Sequence, residues 1–165
     1  MTAALLFAVS FLAMEGVSYA AHRWVMHGFG MAWHRSHHVP STGRFERNDI
    51  FPATFSVVGV ALFAAASAGL ASWLWWVAAG ITAYGACYLF VHEVYIHRRV
   101  DAPLPRARYF EWLRIAHAHH HRRCGEPYGM LLPWRRDSVD AASAPPPAPG
   151  RSASHTCSAS GPLPA

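Results

Sequence analysis

Residues 51–91 form a run of 41 positions without one charged side chain or histidine. As a single helix rising 1.5 Å per residue, the run would be about 60 Å long, roughly twice the hydrocarbon thickness of a bilayer. It has to be two spans. The small, turn-prone stretch 66–72, which contains Gly69, is the natural hairpin, giving spans near 51–69 and 72–91. Trp73, Trp75 and Trp76 then stand at one end of the later span, where indole rings favour the membrane interface.

A further apolar stretch, from Thr2 to Ala21, is broken only by Glu15 and is long enough to cross as well. The small residues Ala20 and Ala21 resemble a signal-peptidase site, but no Arg precedes the apolar core as a signal peptide requires, so an uncleaved span is expected. All 14 basic residues are Arg, and they flank the spans. Arg23, Arg35, Arg44 and Arg47 lie between the first two spans and the other ten follow the third. The positive-inside rule places both Arg-rich regions in the cytoplasm and the amino terminus outside, in the cell's inner (plasma) membrane. A net charge of +5 is therefore read as topology. No RNP-type signature or zinc-finger spacing points to nucleic acid.

The expected fold is all-α: an integral membrane bundle of three to four membrane helices under a cytoplasmic His-rich helical cap. Tyr109 to Arg123 reads as a helix too polar to cross, placed at the surface. Residues 1–136 form the functional domain. Residues 137–165, rich in Ala, Pro and Ser, bury too little apolar surface to order themselves, so they form a disordered tail. Cys87, Cys124 and Cys157 show no CxxC spacing, so reduced thiols are expected.

Twelve histidines occur, and eleven fall in four groups. His22 with His27 and His92 with His97 read HxxxxH; His34, His37, His38 and His117, His120, His121 read HxxHH, with His119 interleaved as a bystander. The same two-part unit appears once after the first span and once after the third. Positions i, i+3 and i+4 share one helical face, so three imidazoles can converge. Residues five apart diverge by about 140° on a regular helix, so an HxxxxH pair either straddles two metals or sits on a bent helix. Imidazole suits iron, zinc, copper and nickel, and no thiolate set favours zinc. Ten histidines oversupply one zinc, which takes three or four protein ligands. Shared between two metals they give about five each, with a position left open for oxygen or water. That is the donor set of a dinuclear, oxygen-activating centre.

At these residues the chain resembles the bacterial beta-carotene hydroxylases, within the fatty acid hydroxylase and sterol desaturase superfamily of membrane di-iron enzymes. The matching stretches are Met14-Glu15 and Tyr19, His22-Arg23-Trp24-Val25-Met26-His27-Gly28, Trp33-His34-Arg35-Ser36-His37-His38, and Arg47-Asn48-Asp49. They continue with Tyr84-Gly85, His92-Glu93 through His97, and Ala116-His117 through His121, so the likeness covers roughly residues 5–134. The resemblance implies hydroxylation of carbon 3 on beta-ionone rings, from beta-carotene through beta-cryptoxanthin to zeaxanthin, with O2 and two electrons per hydroxylation. It implies two non-haem irons held by His22, His27, His34, His37, His38, His92, His97, His117, His120 and His121. It also implies a carotenoid drawn from the bilayer and electrons from an external ferredoxin and reductase. Where many relatives carry a Cys-Val-Ser-Phe-Gly-like stretch, this chain reads Gly125-Glu126-Pro127-Tyr128-Gly129, a departure expected to bear on substrate detail rather than on the metal site.

Five further residues are candidates beyond the histidines. Glu15, Tyr19 and His22 share a helical face, and an acid inside a span is a functional candidate in its own right; Glu15 is expected to bond Tyr19 or orient the site. Glu93 and Asp49 are expected to orient ligands, and Asn48 a metal-bound water, with helix capping or solvation as the alternative for each. Arg98, Arg99, Arg106, Arg108, Arg122 and Arg123 offer a docking surface for an acidic ferredoxin or, alternatively, anchors for lipid headgroups. The competing functions are the same chemistry on a fatty acid, sterol or ketocarotenoid, a non-enzymatic metal binder or transporter, and a structural subunit. Transporters set their ligands near the midplane, whereas spans two and three hold no His before His92.

Overall fold

The computed structural model describes residues 2–39, 43, 45–104 and 107–133. It is all-helical. Helix α1 (Ala3–Ala20) runs on through a π-helical segment, Ala21–Phe29, and a kink at Gly28 into α2 (Met31–His38). A 3₁₀ turn, Arg47–Asp49, opens α3 (Ile50–Ser67), and α4 (Leu74–Leu89) continues as a second π-helical segment, Phe90–Ile96. Helix α5 (Arg108–Arg123) ends at Cys124 in the left-handed conformation, from which a strap returns along the bundle to residue 133. The 137–165 tail, with His155 and Cys157, lies outside the described residues.

Among the described residues, three helices are long and apolar enough to cross a membrane: Ala3–Phe29, Arg47–Ser67 and Leu74–Ile96. Helix α5 is not among them. The hairpin between α3 and α4 turns at Gly69, whose φ of +81° is open to glycine at little cost. Only 11% of the apolar window of each of the first two spans is buried within the protein. Side chains such as Leu12, Val57 and Val60 are about two-thirds exposed, an apolar surface that needs lipid against it.

Helix α4 packs between α1 and α3. The α1–α4 contact is close because Gly80 lies against the α1 backbone; a Cβ there would stand 2.6 Å from the Phe7 carbonyl oxygen and 2.8 Å from Ser10 Cβ. Small residues at such crossings let helices meet where lipid offers no hydrophobic drive. The consequence for function is positional. The ends of α1 and α4 that carry His22 and His92 are brought side by side, with α2 and α5 laid across them.

Candidate metal centre

The two HxxxxH pairs coincide with the two π-helical segments. Gly30 N–H bonds the Val25 carbonyl at 2.8 Å and His97 N–H bonds the His92 carbonyl at 3.0 Å, both i to i−5. Widening the helix by one residue per turn brings positions five apart toward one face, which a regular helix would not. His22 and His27 accordingly stand with ring centroids 5.1 Å apart, and His92 and His97 at 4.6 Å. Of the two readings of this spacing, the altered helix is the one observed.

The imidazoles gather into two adjoining clusters. One ligand nitrogen from each of His22, His27, His34 and His120 lies within 4.8 Å of the others, and the same holds for His37, His92, His97 and His117. His38 Nε2 joins the first through His34 Nε2 at 3.0 Å, and His121 Nε2 joins the second through His117 Nε2 at 2.7 Å. The rings of His38 and His121 stack across the boundary at 4.3 Å. His119 is buried yet belongs to neither cluster.

Membership does not follow the sequence units. His37, from the amino-terminal unit, sits with His92, His97 and His117; His120, from the carboxy-terminal unit, sits with His22, His27 and His34. On a helix, i+3 and i+4 are separated by about 100°, so the middle His of each HxxHH can face the neighbouring cluster while its companions face their own. The three imidazoles of each motif thus divide between two centres instead of converging on one.

Five of the ten imidazoles turn Nδ1 outward onto an oxygen acceptor. His22 Nδ1 meets the Tyr128 carbonyl at 3.0 Å, His34 Nδ1 meets Asn48 Oδ1 at 2.7 Å, and His120 Nδ1 meets the Gly125 carbonyl at 2.6 Å. In the second cluster His37 Nδ1 meets Glu46 Oε2 at 3.2 Å and His92 Nδ1 meets Glu93 Oε1 at 2.5 Å. An Nδ1–H donating outward leaves Nε2 with a bare lone pair facing the cluster. The Nε2 atoms crowd together: His27 Nε2 is 3.1 Å from His120 Nε2 and 3.2 Å from His34 Nε2, and His97 Nε2 is 3.0 Å from His117 Nε2. The Nε2 atoms of His22 and His37, one in each cluster, are buried without any hydrogen-bond partner. Converging lone pairs repel unless a cation lies between them, so each cluster fits a metal ion.

Burial pushes the imidazoles of His34 and His97 down to about 3 and that of His38 to about 4. They stay neutral at physiological pH, the form that binds metal.

The other candidates take more specific places than expected. Asn48 is buried on His34. Glu93 bonds His92 and also Arg99 Nη1 at 2.6 Å, and Arg99 in turn grips Asp49 through contacts of 2.8 and 2.9 Å. Arg99 thereby ties the start of α3 to the end of the third span, and is not spare for docking. Glu15 does not bond Tyr19. It accepts from Tyr84 Oη at 2.7 Å and from the backbone N–H groups of Met130, Leu131 and Leu132 at 2.9–3.2 Å, anchoring the carboxy-terminal strap to α1. Tyr19 donates to Glu126 at 2.7 Å, and Arg23 reaches both, at 2.6 and 3.0 Å. The divergent stretch 125–129 therefore lies directly against the first cluster, which the sequence reading had set apart from the metal site. Tyr128 packs its ring within 5.4 Å of His22, His27 and His120. Glu46, Tyr84, Arg99 and Tyr128 were not singled out for these roles, and only contacts remote in sequence reveal them. Cys87 is free and exposed.

Removing the Glu15 carboxylate leaves three backbone donors and the Tyr84 hydroxyl without it. Each unsatisfied buried group costs about 1–3 kcal/mol, so Glu15→Ala is expected to destabilise the fold by several kcal/mol. Thermal unfolding in detergent, followed by size-exclusion recovery, measures this. An unshifted midpoint would mean that the strap is held by something else.

A model of the fatty acid hydroxylase family matches residues 7–139. The chain belongs to the fatty acid hydroxylase family. Within it, the chain is 44% identical over 115 residues to a beta-carotene hydroxylase of Pseudescherichia vulneris, covering 68% of this chain and 64% of that protein. It is 40% identical over 120 residues to one of Pantoea ananas (72% and 67%) and 39% identical over 125 residues to one of Paracoccus sp. strain PC1 (73% and 75%). The match thus spans just under two thirds of the first relative's length. No solved structure matches the chain. Membership agrees with the geometry: a hydroxylase family, and a chain in which the ends of two apolar helices, with α2 and α5, bring together two histidine clusters able to hold metal.

Above the clusters, between α1, α3 and α4, lies a cavity of about 360 Å³ lined by apolar and aromatic side chains that include Met14, Phe55, Phe63 and Leu89. A separate small void of about 10 Å³, lined by His22, His34, His37, Asn48 and His92, shares Ser18, Met26 and Tyr88 with the cavity wall.

Proposed function

We propose that the chain is a membrane di-iron monooxygenase that hydroxylates carbon 3 of carotenoid beta-ionone rings, taking beta-carotene through beta-cryptoxanthin to zeaxanthin. The observation that carries this reading is the shared edge between cavity and clusters. Ser18, Met26 and Tyr88 line both the apolar cavity and the small void beside His22 and His37, the two histidines whose buried Nε2 atoms lack a partner. An apolar ring entering between the spans would end beside the metal positions. The named activity of the relatives supports the choice of substrate.

On this reading His22, His27, His34, His38 and His120 hold one iron, and His37, His92, His97, His117 and His121 the other. Bound iron supplies the activation of dioxygen that an unreactive C–H bond demands. The protein does the rest. Met14, Phe55, Phe63 and Leu89 exclude water and hold the ring by apolar contact, while Ser18 and Tyr88 frame its reacting end. Asn48, Glu46, Glu93 and the carbonyls of Gly125 and Tyr128 fix the imidazole planes through Nδ1. The Arg distribution supports a cytoplasmic cap and an outside amino terminus, with electrons delivered from the cytoplasm by a separate ferredoxin and its reductase.

Expression in a bacterium that accumulates beta-carotene tests this directly. Chromatography is expected to show zeaxanthin, with beta-cryptoxanthin as the intermediate. Unchanged pigment from membranes in which the protein carries two irons would move the substrate to another lipid.

A further inference from the structure

The two clusters differ in what stands behind their imidazoles, a difference that neither family membership nor the repeated histidine pattern records. In the first cluster the Nδ1 acceptors are neutral: the Tyr128 and Gly125 carbonyls and the Asn48 amide. In the second they are carboxylates, Glu46 on His37 and Glu93 on His92. Arg99 offsets part of this charge, but it is one cation bonded to both Glu93 and Asp49. Near the first cluster, Glu126 is matched by Arg23, and Glu15 is turned onto the strap backbone. Among the described residues, the carboxylates bonded to an imidazole Nδ1 stand behind the second cluster. A carboxylate on Nδ1–H raises the basicity of the opposite nitrogen, and its charge attracts a divalent cation.

Building on the two-iron reading, we propose that the metal positions are unequal. The position ringed by His37, His92, His97 and His117 retains its ion more strongly, and Glu46 and Glu93 are the positioning residues that make it so. The position ringed by His22, His27, His34 and His120 is the labile one.

The full-length protein, isolated with its iron in detergent and reduced, is challenged with a ferrous-ion chelator while iron release is followed by absorbance. Release is expected in two phases of equal amplitude. Glu46→Gln and Glu93→Gln each keep an amide oxygen as acceptor but remove the charge, and each is expected to quicken the slow phase at least about tenfold, within the 10–100-fold range for such outer partners. The reciprocal variant Asn48→Asp puts a carboxylate on His34 and is expected to slow the fast phase, a gain that a folding defect cannot mimic. Single-phase release of two irons, or a fast phase that responds to Glu93→Gln, overturns the inequality and leaves the two-iron reading standing. Protein that binds no iron, as isolated or after loading with Fe(II), overturns both.

Discussion

Replacing His37 by alanine is expected to abolish zeaxanthin formation and to remove one iron of two, and the iron lost is the one beside His92, His97 and His117. His34 and His38, its neighbours in the HxxHH motif, are expected to keep theirs. The reason is the exchange of middle histidines: His37 reaches out of its own sequence unit, with ring centroids 4.6 Å from His92 and 4.3 Å from His97. His120→Ala is the mirror case, because its ring lies 4.5 Å from His22 and 4.8 Å from His27. Turnover is expected to fall by well over the ~100-fold that loss of an outer partner can cost, since each variant strips an ion-facing nitrogen. Elemental analysis gives the stoichiometry, and Mössbauer spectra of the two ⁵⁷Fe-loaded variants tell which environment remains. If both variants retain the same environment, or if His37→Ala empties the cluster of His34 instead, the division of histidines drawn here is wrong.

That exchange marks the boundary of what one sequence can reveal. The spans were legible because residues 51–91 hold no charge, and lipid admits no other reading of such a run. The ten histidines were legible because their spacing repeats. Their division between two centres was not, since it depends on how α2 and α5 lie across the ends of α1 and α4, and no local pattern encodes that crossing. The HxxxxH spacing came closer to betraying its geometry: a 140° divergence on a regular helix already called for something irregular, and the π-helical segments supply it.

The least legible part was the strap. Glu15 in an apolar span signalled a partner, and Tyr19, four residues on, was the nearest candidate on its helical face. The observed partners are Tyr84 and the backbone at 130–132, some 70 and 115 positions away in the chain. Backbone N–H groups carry no sequence signature, so a site completed by them stays hidden until the chain is folded. The carbonyls of Gly125 and Tyr128 were hidden for the same reason, although they orient His120 and His22 as surely as Asn48 orients His34.

Filling the cavity without disturbing the metals separates substrate entry from iron chemistry. Gly85 lines the cavity on α4, and a Cβ built there meets no atom within 4 Å, so a larger side chain can grow into open space rather than into a neighbouring helix. Gly85→Phe is expected to leave two irons bound and the thermal midpoint nearly unchanged, because the phenyl ring gains apolar contacts and displaces none of the histidines. Conversion of beta-carotene is expected to drop at least about tenfold, the scale on which a few lost apolar contacts change discrimination. Gly85→Ala, which adds one methyl group, is expected to lose much less. Pigment chromatography beside iron analysis reads both quantities on one preparation. Iron loss with Gly85→Phe would mean that the cavity wall and the clusters are mechanically coupled. Full conversion would mean that the ring reaches the metals by another route, because an apolar slot filled by a phenyl group has no room for a second ring.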